Sequence, residues 1–157
     1  MPHTLSIVPK GPFRLAESAR FACSFVPGRG GAEVTGDAEI HFGFASDHDF
    51  APVVVKVTQD ADGVHVDATR DAPGLRAQIA RILSLDVDAS GLAGVAERDP
   101  LVGAAMAERP GFRPIVFPSP YEAAVWGILA QRIPMAQAAK LKARLADHTL
   151  AIAEGFG

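Results

Sequence analysis

Before Asp71-Ala72-Pro73-Gly74 most apolar residues fall in the two-residue period of strands; after it they fall only in the spacing of helices. "HTLSIVPK" (3–10) alternates up to the Gly11-Pro12 break, and "AEVTGDAEIHFGFA" (32–45) alternates as one or two strand pieces. "APVVVKVTQ" (51–59) is a β-branched run, and "VHVDAT" (64–69) returns after an Asp62-Gly63 pair that favours a tight hairpin. One helix interrupts them: "FRLAESARFACSFV" (13–26) repeats apolar residues at 15, 19, 22 and 26, with Phe21 and Phe25 alongside.

Beyond the break, "LRAQIARILSLD" (75–86) puts Leu75, Ile79, Ile82 and Leu83 on one helical face. Short helical pieces follow, punctuated by glycines and by Asp99-Pro100, and "FRPIVFP" (112–118) is a connector held extended by its prolines. Two helices close the chain, at about 119–131 and 134–148. Strands followed by helices predict an α+β fold: an N-terminal antiparallel sheet with one or two helices over 1–86, then a helical lobe over 87–157.

No stretch reaches the about eighteen continuous apolar residues of a membrane span, and "MPHTLSIVPKGPF" has no signal-peptide pattern. The single cysteine, Cys23, excludes an internal disulfide and fits a reducing cytoplasm. Within "RFACSF" it is expected as a buried structural thiol rather than a nucleophile. His3, His41, His48, His65 and His148 show no zinc-binding spacing. "QDADG" lacks the length and terminal Glu of a calcium loop, and no Walker or dinucleotide glycine pattern occurs. No metal and no cofactor is expected.

The net charge of −3 hides a division. Residues 1–108 carry nine Lys/Arg against fifteen Asp/Glu, whereas residues 109–144 carry six Lys/Arg against Glu122 alone. A basic segment on an acidic body reads either as a phosphate-facing surface or as a solvated helix face.

Within that segment, Ser119-Pro120-Tyr121-Glu122 combines a capping residue, a proline at the first helical position and a Glu able to close a capping box. The helix behind it carries Tyr121, Ala124, Val125, Ile128 and Leu129 on one side, read as a core face. Its end has no Gly or Asn; Gln131-Arg132-Ile133 run straight into Pro134 and a second helix with Met135, Ala138, Leu141 and Leu145 on one face. From composition, this corner is a polar surface turn.

"FPSPYEAAVWGILAQRIPMAQAAKLKARLA" resembles the front of the catalytic region in 3-methyladenine DNA glycosylase II and its relatives, members of the helix-hairpin-helix DNA glycosylase superfamily. "GILAQRIPMAQAAKL" (127–141) matches most of their A-I-L-x-Q-x-x-S-x-x-x-A-A-x-L pattern. "GPFRLAESARFACSF" and "RILSLDVDASGLAGVAERDP" are similar to their N-terminal segment and lobe-joining helix. The resemblance implies a TBP-like N-terminal lobe followed by the start of an all-α glycosylase lobe. It also implies that Arg132, flanked by Gln131 and Ile133, enters the minor groove and fills the space left by a flipped base. Arg132 departs from an aliphatic wedge, and Pro134 replaces a Ser cap. Phe21 matches an aromatic that lines the base pocket; Trp126 reads as core or near-site; Lys140, Lys142 and Arg144 read as phosphate-facing or solvated.

The resemblance implies two further parts that nothing in this sequence matches: a hairpin with an L-P-G-[IV]-G-like turn that grips a phosphate, and a catalytic Asp downstream of it. The expectation is therefore a base-excision repair protein truncated before its catalytic half, inactive alone and nucleoid-associated in the cytoplasm. Its partner is double-stranded DNA with a damaged base. No catalytic residue is assigned, and an exposed apolar face on the last two helices favours self-association or a missing C-terminal half. The alternatives are a non-catalytic damage-sensing remnant and a generic α+β binding module.

Overall fold

The computed structural model describes residues 3–24, 32–34 and 39–155. In chain order the elements are β1 (His3–Ile7), α1 (Leu15–Ser24), β2 (Ala32–Val34), β3 (Glu39–Ala45), β4 (Pro52–Gln59) and β5 (Val64–Ala68). Six-helix numbering continues with α2 (Leu75–Ile82), α3 (Leu92–Arg98), α4 (Pro100–Glu108), α5 (Pro120–Leu129) and α6 (Met135–Gly155). The strands form one antiparallel sheet in the order β1-β5-β4-β3-β2.

Alternation decides the two faces of that sheet. Ile40, Phe42 and Phe44 of β3, Val53, Val55 and Val57 of β4, and Val64, Val66 and Ala68 of β5 all point inward and are buried. Register stacks them in rows: Val57 pairs with Ile40 on one side and Val66 on the other. α1 closes this face with Leu15, Ala19 and Ala22, and α2 with Leu75, Ile79 and Ile82. Each fully buried Val, Leu or Ile here stabilises the lobe by roughly 1.5–3 kcal/mol. The outer face carries Thr4, Ser6, Lys56, His65 and Asp67 and needs no cover. Gly63 in the β4–β5 turn has φ +143°, and a Cβ there would stand 2.9 Å from the Ile7 carbonyl oxygen, so β1 can approach only a glycine.

Cys23 is exposed, contrary to the expectation of a buried thiol. α1 buries Leu15, Ser18, Ala19 and Ala22, and the next residue is turned about 100° round the helix toward solvent.

The buried cluster ends at Leu85. Past it α3 and α4 pack against each other and bury no residue fully. α4 starts at an Asp99 cap, whose carboxylate accepts from the Leu101 and Val102 N–H groups at 2.9 and 3.3 Å. No helix among the described residues is long and apolar enough to cross a membrane.

Candidate nucleic-acid interface

The corner between α5 and α6 hangs from the sheet lobe by the connector 112–118. Arg113 anchors the near end. Its side chain is 5% exposed, and its guanidinium donates to the carbonyls of Pro12 at 3.0 Å, Ser84 and Val87 at 2.9 Å, and Lys10 at 2.5 Å. Its own N–H donates to Ser18 Oγ at 3.3 Å, and the guanidinium lies 5.9 Å from the Phe13 ring centroid. Burial pulls its pKa down, and Asp88 opposes that shift. Arg113 thus belongs to the scaffold, not to the phosphate-facing surface that its place in the basic segment suggested. Beside it Gly111, φ +71°, lets the Arg14 N–H reach its carbonyl at 2.8 Å; a Cβ would come within 2.9 Å of that nitrogen.

The rest of the connector lies along the end of α2. Ser84 Oγ donates to the Pro114 carbonyl at 2.7 Å, and the Val116 N–H donates to the Ile82 carbonyl at 2.9 Å. At the far end the Pro118 carbonyl accepts from Arg81 Nη2 at 2.8 Å and from Gln78 Nε2 at 3.4 Å. Gln78, Arg81 and Arg113 had no sequence signal, because their partners are mostly main-chain carbonyls from distant segments.

α5 begins with two of its three predicted start features; the Glu122 carboxylate does not close the capping box. Ser119 Oγ accepts from the Glu122 N–H at 3.2 Å and Pro120 takes the first helical position. The Glu122 carboxylate faces Lys142 Nζ at 3.8 Å. The predicted core face does not bury: Tyr121 is 72% and Ile128 69% exposed, whereas Trp126, on the other side, is 8% exposed. Ala138 of α6 is fully buried, and Met135 and Leu145 stay about half exposed.

At the corner the helix ends at Leu129, with the Ala130 N–H returning to the Trp126 carbonyl at 2.8 Å. Arg132 has φ +58°, the left-handed region that glycine or asparagine ordinarily occupies past a helix end. A side chain there costs on the order of 1–2 kcal/mol. Gln131 and Arg132 are exposed and Ile133 is half-buried. The Arg132 guanidinium makes no hydrogen bond or ion pair among the described residues.

Of the basic trio on α6, Lys140 and Arg144 are exposed one turn apart, while Lys142 turns toward α5. Phe21 is half-buried and meets Phe112 edge-to-face, centroids 5.4 Å apart, with Arg109 over the Phe112 ring at 5.9 Å. A separate cleft of about 410 Å³ at the start of α1, between Arg14, Arg20, Gln59 and Asp60, includes none of the predicted site residues.

No family model matches the chain, and no curated protein sequence matches it. Solved structures do. A 3-methyladenine DNA glycosylase from Archaeoglobus fulgidus aligns with a TM-score of 0.66 at 16% identity, over 88% of this chain and 47% of that one. MBOgg1, solved in complex with a low-affinity DNA ligand, aligns with a TM-score of 0.57 at 19% identity, over 88% of this chain and 43% of that one. The fold is therefore the α+β DNA-glycosylase fold. In particular it is the fold of a 3-methyladenine-type and an Ogg1-type glycosylase, over less than half the length of each.

Proposed function

We propose that this chain serves base-excision DNA repair as the part of an alkylated-base glycosylase that meets and opens the duplex. Its partner is double-stranded DNA containing a damaged base, which places its work on the nucleoid in the cytoplasm. The observation that carries this reading is Arg132: an exposed guanidinium held at a left-handed position where glycine would be free of strain. The DNA ligand of the structurally similar MBOgg1 supports the partner.

In this reading Arg132 enters the minor groove between Gln131 and Ile133. Extruding a nucleotide costs a few kcal/mol of stacking and pairing, and a side chain in the gap offsets part of it. A guanidinium stacks on the flanking bases and donates to the orphaned partner base. Lys140 and Arg144 contact phosphates, and Phe21 and Trp126 line the path of the extruded base. Hydrolysis of the N-glycosidic bond belongs to the whole glycosylase fold, and no residue here is assigned to it.

The test is binding to a duplex with an abasic-site analogue against the same duplex undamaged. The wild-type chain is expected to prefer the former, and Arg132→Ala and Phe21→Ala to lose on the order of tenfold of that preference. If neither substitution alters it, the chain is a binding module with a glycosylase fold and no more.

A further inference from the structure

The connector 112–118 carries hydrogen bonds from the sheet lobe up to the residue before the α5 cap. Among the described residues α5 packs mainly on α6, Trp126 is its one buried residue, and the hairpin makes no broad contact with the sheet lobe. We infer that Gln78 and Arg81 are positioning residues: they latch the Pro118 carbonyl to the 46–51 hairpin of the sheet and so set the angle at which the α5–α6 corner stands.

Gln78 is 3% exposed, and its amide is fully used. Its Oε1 accepts from the Asp47 N–H at 3.0 Å, and its Nε2 donates to the Ala45 carbonyl at 2.9 Å and to Asp47 Oδ1 at 3.1 Å, while reaching Pro118. Arg81, three residues on along the same helix face, bridges Asp47 Oδ2 at 2.9 Å and the Pro118 carbonyl at 2.8 Å. One carbonyl and one carboxylate are thus held by the same two side chains. The hairpin they grip is itself bonded internally: the Ser46 N–H donates to the Ala51 carbonyl at 2.9 Å, and Asp49 is paired to Arg70.

The place of the latch gives it leverage. Pro118 immediately precedes the cap of α5, and the corner lies just past the far end of that ten-residue helix. Ten residues span ~15 Å, so a tilt of about 10° at the start moves the corner by roughly 2–3 Å. An error of about 1 Å already costs a positioned group heavily. Arg113, Ser84 and Val116 hold the connector upstream, so losing the latch leaves the sheet core and that part of the connector intact and frees the hairpin to swing.

The consequence for DNA rests on the reading of Arg132 given above; the latch itself does not. Spin labels at Asp62, in the β4–β5 turn, and at Gln137, on the exposed start of α6, report the angle in the full chain with Cys23→Ser. A narrow distance distribution is expected for wild type and for Arg81→Lys, which keeps a donor. A distribution about twofold broader is expected for Arg81→Met, with Gln78→Met as the second variant. In a duplex with 2-aminopurine opposite an abasic-site analogue, Arg81→Met should lower the fluorescence response roughly three- to tenfold while the salt dependence of binding stays put. Equal widths in wild type and both Met variants overturn the latch, as does a broad wild-type distribution. If wild type gives no fluorescence response, the reading of the corner falls, and the distances alone decide the latch.

Discussion

Lys142 Nζ stands 3.8 Å from Glu122 Oε2, across the seam between α5 and α6. The pair turns the middle member of the basic trio toward its own protein and leaves Lys140 and Arg144 on the open face. Replacing Lys140 or Arg144 by Ala should therefore shallow the salt dependence of DNA binding by about one ion each, and Lys142→Ala should leave the slope unchanged. Titrations of one duplex at several salt concentrations give the slopes. A Lys142 effect equal to the other two would put that ammonium on a phosphate.

Arg113 ties the segment after β1, at Lys10 and Pro12, and the segment after α2, at Ser84 and Val87, to the connector. Arg113→Met strips hydrogen bonds from four carbonyls and should cost about 2–4 kcal/mol in urea unfolding. Arg113→Lys should recover only a minor part, since an ammonium lacks the planar fork that reaches separate carbonyls. A Lys variant as stable as wild type would show that charge, not geometry, holds the connector.

Acid should weaken the sheet lobe through its outer face. Glu39 is held below the ordinary carboxylate range first by the hydrogen bond from His41 and then by Lys56; Asp60 is held low first by His65 and then by the Asp62 N–H. A carboxyl whose folded pKa is depressed stabilises the fold above its unfolded pKa, and that contribution is lost as pH falls through the folded value. Thermal stability should hold from neutrality to about pH 4 and decline below it, and Glu39→Gln with Asp60→Asn should flatten the decline. Melts across that range decide the point; an unchanged acid limb in the double variant removes these two groups from the explanation.

The period change at Asp71–Gly74 made the α+β division legible, and the inward Val, Ile and Phe positions of β3, β4 and β5 follow from alternation alone. Strand order did not. β1 pairs with β5, sixty residues away, through contacts that no local pattern encodes. Ser119 was readable as a cap because capping is local; the Glu122 carboxylate, read as the other half of a capping box, turns instead to Lys142 on another helix. Apolar spacing showed that Tyr121 and Ile128 share a face. It could not show which face of α5 meets a neighbour, and the buried residue is Trp126. The polar corner stood out in the sequence, but its left-handed backbone at Arg132 did not, since Arg has no preference for that conformation.

That backbone supplies the most direct test, because it sets stability against function at one position. Arg132→Gly removes a left-handed side chain that costs on the order of 1–2 kcal/mol and deletes the guanidinium with it. Stability and the 2-aminopurine response opposite an abasic-site analogue should be measured on the same preparation. The expected result is an unfolding midpoint at or above wild type together with a fluorescence response reduced to that of Arg132→Ala. A glycine variant that opens the duplex as well as wild type would contradict a gap-filling role for Arg132.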